Sequence, residues 1–271
     1  MVSENQRVVL ITGASSGIGK ACASHLAAQG FRVYATSRRP SSITAPNLTM
    51  LAADVNHDDS VEQTVAAIIE REGRIDVVIN NAGMGIAGPL ENTTTEHAKA
   101  QFEVNFFGAL RVCRAVLPAM RSQQRGYIIN IGSIGGILAL PYQSMYSASK
   151  FALEGMSEAL RMEIRSFGIR VVLIEPGYIS PGMKPAGQVR GDDAYRPLWD
   201  EWAGTDLKVT GPSGRPGPEL VAAAIRSAIE DPATPFRVPV GDDAVMVLGA
   251  RSQMDDATFE AAMRSTLGLT W

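Results

Sequence analysis

From Arg7 onward, short runs of consecutive apolar residues bounded by turn residues alternate with longer stretches in which apolar positions recur every three or four residues. A continuous apolar run suits a strand buried on both faces, and the longer period suits an amphipathic helix. The strands predicted in this way are Arg7–Thr12, Arg32–Thr36, Thr49–Ala53, Val77–Asn80, Tyr127–Ile131, Val171–Glu175 and Phe236–Val240. Joined by right-handed crossovers, they make an α/β fold: a doubly wound, parallel, seven-stranded sheet with helices on both faces. Three of the intervening helices bear on function, spanning Gly17 to near Gly30, about Glu96 to Met120, and about Tyr142 to Phe167. In the third, Ala148, Ala152, Met156 and Ala159 repeat at helical spacing as the packing side, with Glu154, Glu158, Arg161 and Arg165 on the other. The least regular stretch runs from Pro176 to Pro218, where prolines and glycines surround Tyr178, Tyr195, Trp199 and Trp202. A long aromatic loop in a compact domain reads as a substrate lid over residues 178–218.

Composition narrows the class. The 271 residues are 45% hydrophobic and 20% charged, enough for a real core in one domain over 1–271. A net charge of −3 supplies no electrostatic footprint for nucleic acid or an anionic membrane, and no stretch reaches the length of a membrane span. Cys22 and Cys113 read as packing residues, and His25, His57 and His97 fall in separate elements with no ligand spacing, so no metal site is expected. A reducing cytosol is the default location.

The turn after the first strand is Thr12-Gly13-Ala14-Ser15-Ser16-Gly17-Ile18-Gly19, and a helix begins within it. Glycines there permit positive φ and close backbone approach, and the free N–H groups of Ser15, Ser16, Gly17 and Ile18 make an anion site. It is not the triphosphate-binding loop, because Gly13 and Gly19 enclose five residues and Ala21 follows Lys20. Nor is it the tighter Gly-x-Gly-x-x-Gly turn, since Cys22 stands where the last glycine would fall. Arg38 and Arg39 follow the second strand, where an acidic residue would bind two ribose hydroxyls and an arginine compensates a 2′-phosphate; NADP(H) is therefore expected over NAD(H). Asp54, beside Val55, is a candidate acceptor for the adenine amino group, or else a helix cap.

Tyr146 and Lys150 lie four residues apart on one face of a predicted helix. A tyrosine of pKa about 10 needs about 4 kcal/mol of preferential phenolate stabilisation to act near neutrality, which a neighbouring ammonium can help supply. Ser133 follows the strand Tyr127–Ile131, the Asn80-Asn81-Ala82-Gly83 turn closes the fourth strand at the same edge, and Asn105 interrupts an apolar helix. All converge on the carboxyl edge of the sheet, where open α/β sheets bind ligands.

These motifs resemble the short-chain dehydrogenase/reductase family, compact single-domain type, from Arg7 to at least Gly177. The resemblance implies a Rossmann-like sheet, with the glycine motif at Gly13, Gly17 and Gly19, the Asn80-Asn81-Ala82-Gly83 turn, catalytic Asn105, Ser133, Tyr146 and Lys150, and the Pro176-Gly177 pair. Within the family, Tyr-Ala-Thr-Ser-Arg-Arg and Tyr-Ser-Ala-Ser-Lys-Phe-Ala-Leu-Glu-Gly are similar to retinol and hydroxysteroid dehydrogenases. The implied reaction is hydride transfer between nicotinamide and a ketone or secondary alcohol, with Tyr146 as general acid/base, Ser133 on the substrate oxygen, Lys150 on the nicotinamide ribose and against the phenol, and Asn105 placing a water. Ile179 is a further candidate cofactor contact, and Ser180 stands where the family has a threonine on the carboxamide. Two other readings are a 3-ketoacyl-thioester reductase and a non-catalytic NADP(H)-binding sensor. Phe102, Phe106, Phe107 and Phe151 lie on the helices through which family members associate, so a homodimer or homotetramer is expected.

Overall fold

The computed structural model describes residues 6–40, 45–180, 187–188, 194–203 and 215–270. In chain order the elements are β1 (Val8–Ile11), α1 (Gly17–Ala28), β2 (Arg32–Ser37), β3 (Leu48–Ala52), α2 (Asp58–Glu72), β4 (Val77–Asn80) and β5 (Ile86–Ala87). There follow α3 (Thr95–Phe102), a π turn (Glu103–Phe107), α4 (Gly108–Gln123), β6 (Gly126–Ile131), α5 (Ser144–Ile164), β7 (Ile169–Pro176) and β8 (Gly187–Gln188). The chain closes with α6 (Arg196–Ala203), α7 (Pro218–Glu230), β9 (Arg237–Val240), α8 (Asp242–Gln253) and α9 (Asp256–Leu267).

Seven strands form one sheet in the order β3-β2-β1-β4-β6-β7-β9. Every pairing in it is parallel. All seven predicted strands are present, and the continuous apolar runs are explained by helices on both sides. Val9 and Ile11 face α1 and α7, packing with Leu26, Ile225 and Ile229. Val8 and Leu10 face α2, α4 and α5, packing with Ile68, Val116 and Ile164. The chain winds from β1 to β3 in one direction and resumes from β4 in the other, so the crevice between the carboxyl ends of β1 and β4 is the topological switch point. No helix among the described residues is long and apolar enough to cross a membrane.

The structure revises three expectations. The helix predicted from Glu96 to Met120 is α3, a π turn and α4, with one residue too many at Glu103–Phe107 for regular winding. Tyr142 precedes α5 and has φ of 62°, so it is not its first residue. The buried face of α5 is also rotated from the expected one: Ser147, Lys150, Leu153, Glu154, Ser157 and Leu160 are buried, Ala159 is exposed and Ala148, Ala152 and Met156 are half-buried, while Glu158, Arg161 and Arg165 are exposed as expected. Lys150, Glu154 and Ser157 find partners on the strands, so hydropathy misplaced the packing face. Of the stretch from 178 to 218, residues 181–186, 189–193 and 204–214 lie outside the described residues. The remainder includes the helix α6, whose Trp199 ring meets Tyr142 edge-on at 4.9 Å between centroids.

Candidate active site

The site is assembled at the carboxyl ends of β1, β2, β4, β6 and β7. After β1, Gly13 has φ of 68°, and a Cβ there would lie 2.7 Å from Ala82 Cα. A Cβ on Gly19 would collide with the Asn81 amide and the Gly13 carbonyl. These two glycines therefore serve contact between the turns after β1 and β4. Gly17, at φ of 54°, faces open space with nothing within 4 Å of its Cβ position. The turns are joined by Thr12, whose hydroxyl accepts from Asn81 N and Ala82 N at 3.1 Å, and by Asn81 Nδ2, which donates to the Thr12 and Gly13 carbonyls at 2.9 and 3.0 Å.

At the start of α1, Ser16 occupies the cap position without a side-chain cap, and the first turn holds no acidic residue. Ser15, Ser16 and Gly17 are exposed, so their N–H groups are open to an anion. Arg38 is exposed beyond β2. Asp54 caps no helix: its Oδ1 accepts from Asn56 N at 3.0 Å in a local turn, while the cap position of α2 is His57. Val55 is buried at 8% exposure, and the absence of a side chain at Gly108 lets α4 close on it, a Cβ there reaching Val55 Cγ2 at 2.8 Å. A small cavity lined by Leu10, Thr12, Thr36, Ala53 and Val55 opens beside these residues.

After β6, Ser133 Oγ accepts from Gly135 N at 3.1 Å and lies on the side of that turn that faces Tyr146. Gly135 permits this approach, since its Cβ would lie 3.1 Å from Tyr146 Cε1 and 3.4 Å from Ser133 Oγ. Burial raises the Tyr146 phenol above its ordinary pKa, with the Ser133 hydrogen bond opposing it. Lys150 stands one turn further along α5; its Nζ donates to the Ile131 carbonyl at 2.7 Å and lies 5.9 Å from the Tyr146 ring centroid. Burial lowers the lysine to about 8, with the Glu154 charge working the other way. The net shift of the phenol in the protein alone is upward, because desolvation is the largest effect acting on it.

Asn105 is held in the π turn. Its Oδ1 accepts from Met84 N at 2.8 Å, and its Nδ2 donates to the Met84 carbonyl and to Ser149 Oγ, each at 3.0 Å. Ser149 in turn donates to the Tyr146 carbonyl at 2.7 Å, tying the turn after β4 to the first turn of α5. Pro176 ends β7; Gly177 N donates to Val240 O at 3.0 Å, Tyr178 N to Asp243 Oδ2 at 2.6 Å, and Ile179 is buried. Ser180 is exposed, with its N–H on the Pro216 carbonyl.

Several contributors escaped sequence reasoning: Thr12, Ser149, the Ile131 carbonyl and Asp243 act through tertiary contacts that no spacing encodes. A buried relay is another. Asn80 Nδ2 donates to Asn130 Oδ1, and Asn130 Nδ2 to Ser157 Oγ, each at 2.8 Å, linking β4 and β6 to α5. Asparagine at the ends of two adjacent apolar strands was the available signal.

A parallel sheet with an anion-binding helix terminus at its switch point, and a serine, tyrosine and lysine beside it, defines a dinucleotide-dependent oxidoreductase. The family model for short chain dehydrogenases matches residues 7–188. The chain is 44% identical over 262 residues to a 3-ketodihydrosphingosine reductase of Bacteroides thetaiotaomicron, covering 95% of this chain and 97% of that protein. A short-chain dehydrogenase structure from Streptomyces avermitilis superposes with a TM-score of 0.84 at 33% identity, covering 98% of this chain and 100% of the other. Another, from Burkholderia cenocepacia in complex with NADP, gives 0.75 at 28% identity and 98% coverage of both. The protein belongs to the short-chain dehydrogenase/reductase family and is an oxidoreductase of CH–OH and C=O groups.

Proposed function

We propose that this protein is an NADP(H)-dependent reductase of a ketone carried on a long apolar molecule, the reverse oxidation of the secondary alcohol running at the same site. The observation that carries the reading is the convergence of Ser133 and Tyr146 beside Gly135 at the crevice, with Lys150 one helical turn further along α5. The open backbone at Gly17, the uncapped start of α1 and exposed Arg38 fit a phosphorylated dinucleotide. The Burkholderia neighbour, which binds NADP, supports that choice. Ser15, Ser16, Gly17, Ile18 and Gly19 would hold the pyrophosphate, Arg38 the 2′-phosphate, Asp54 and Val55 the adenine, and Asn81, Ala82, Gly83, Pro176, Gly177 and Ile179 the nicotinamide side. Bound NADP(H) supplies or accepts the hydride.

In the reductive direction Tyr146 Oη gives a proton to the substrate oxygen, a role suited to a phenol whose burial keeps it protonated at neutral pH. Ser133 Oγ donates to the same oxygen as negative charge develops. Lys150, still largely cationic at neutral pH, orients the nicotinamide ribose and stabilises the phenolate left on Tyr146. Asn105, joined to α5 through Ser149, fixes the turn after β4 and places a water toward Lys150.

The substrate class is supported by the 3-ketodihydrosphingosine reductase relative and by the rings of Tyr142, Trp199 and Trp202, which meet beside the site. The described part of the expected lid, the segment around α6, is fixed to the fold by Tyr195, which donates to Glu91 at 2.8 Å. Exposed Phe107, Phe151 and Met162 suit a homodimer or homotetramer, checked by light scattering. The deciding experiment measures nicotinamide absorbance with NADPH and NADH against a long-chain 3-keto amino alcohol, a cyclic ketone and an acyl-thioester analogue. Turnover with NADPH on the long-chain ketone is expected. Turnover on the thioester alone, or on no carbonyl with either cofactor, overturns the reading.

A further inference from the structure

Beneath Lys150 lies a second cluster of ionisable groups that the mechanism above does not use. Glu154 follows Lys150 by one turn on the buried face of α5, and Glu175 ends β7 beside Pro176; they are 5% and 1% exposed. One guanidinium serves both. Arg237, on β9, places Nε 2.9 Å from Glu154 Oε2 and 3.6 Å from Glu175 Oε1, and its Nη2 donates to exposed Glu158 at 2.8 Å. Glu154 Oε1 and Glu175 Oε1 are buried with no hydrogen-bond donor among the described residues, the latter meeting Arg237 only in the longer ion pair. Both carboxyl groups thus converge on the same Arg237 Nε inside the fold. Two carboxylates are both acceptors and both negative, so a buried pair that meets one guanidinium nitrogen is relieved by a proton held between them.

The surrounding backbone is shaped to this pair. A Cβ on Gly132 would lie 3.1 Å from Glu154 Oε1, and one on Gly136 3.1 Å from Glu154 Cγ. The groups facing the pair are Lys150 and Glu158 from α5 and Arg237 from β9; β6 and the turn after it present Gly132 and Gly136, and α8 holds Asp243 against Gly177. Helix α7 packs on the opposite face of the sheet.

We infer that Glu154 and Glu175 hold one proton between them and act as positioning residues for Lys150, the loss of that proton adding the negative charge that keeps the neighbouring ammonium protonated. The pair thereby extends to higher pH the range over which Lys150 can orient the ribose and stabilise phenolate. Burial and the adjacent Glu154 charge push Glu175 up to about 7, while burial lowers Lys150 to about 8 with the Glu154 charge opposing it. This inference rests on the role proposed for Lys150.

Two measurements test it. In the infrared spectrum of the wild-type protein, a protonated buried carboxylic acid band is expected at pH 6, lost by pH 9 and absent at both in Glu175→Gln. That arm needs no turnover. In the pH profile of kcat/KM, Glu175→Gln is expected to bring the alkaline limb down by about 0.5–1 unit, a loss of about 3–10-fold at pH 9 relative to wild type. Should that variant fail to fold, Glu154→Gln, which removes the nearer charge, is expected to shift the limb in the same direction. Absence of the band in wild type, or superimposable profiles in a folded variant, overturns the inference. Failure of the functional reading would instead appear as no turnover in either protein at any pH, with the infrared arm still deciding the shared proton.

Discussion

The two halves of the crevice are built from different materials. Around β1 and β4 the work falls to backbone and small residues: Gly13 against Ala82, Gly19 against Asn81, Thr12 spanning both turns. Around β6, β7 and α5 it falls to buried polar side chains, among them Asn130, Ser157, Lys150, Glu154 and Glu175. A dinucleotide has fixed shape and charge, so helix-terminal N–H groups and close approach suffice to hold it. Moving a proton requires groups whose ionisation is perturbed, which means taking them out of water and satisfying them there.

The contrast predicts how each half breaks. Tyr146→Phe is expected to lower kcat by about 10³–10⁴-fold while NADPH binding, read by fluorescence quenching, stays near wild type. Ser133→Ala is expected to cost about 10²–10³-fold in kcat, again with little change in cofactor affinity. On the other side of the crevice, Arg38→Glu is expected to reduce the preference for NADPH over NADH by about 10–100-fold, the worth of a charge-assisted hydrogen bond, with kcat at saturating cofactor barely changed. Equal use of both cofactors by the wild type would remove Arg38 from recognition. Smallest is Ser157→Ala, which leaves Asn130 without an acceptor for its amide: about 1–3 kcal/mol of stability, or a Tm lower by about 2–8 °C. A fall in turnover much beyond that shift would show that the relay through Asn130 also sets the position of α5.

The nucleotide half was the more legible. Gly13, Gly17, Gly19 and the Asn81-Ala82-Gly83 turn signal themselves because a tight turn restricts residue type locally, although their spacing alone does not reveal that Gly13 and Gly19 serve protein contacts while Gly17 stays open. On α5 the signal misled. Ala148 and Met156 look like a packing stripe, but the face that enters the fold carries Lys150, Glu154 and Ser157. Hydropathy assumes that buried means apolar, and here partners supplied by other elements make polar burial tolerable. The π turn at Glu103–Phe107 was equally hidden, since nothing in a run of apolar residues and one asparagine announces an extra residue in the winding.

By itself the amino-acid order determined the alternation of strand and helix, the parallel sheet and the residue types gathered at its carboxyl edge, because period and turn chemistry are properties of near neighbours along the chain. Only the tertiary structure decided the ionisation of the site. Whether Tyr146 is desolvated, whether Lys150 meets the carbonyl of Ile131, and whether Glu154 faces Glu175 depend on groups far apart in the chain being brought within a few ångströms of one another. Electrostatic energies at that range are set by distance and exclusion of water, neither of which is written in local sequence.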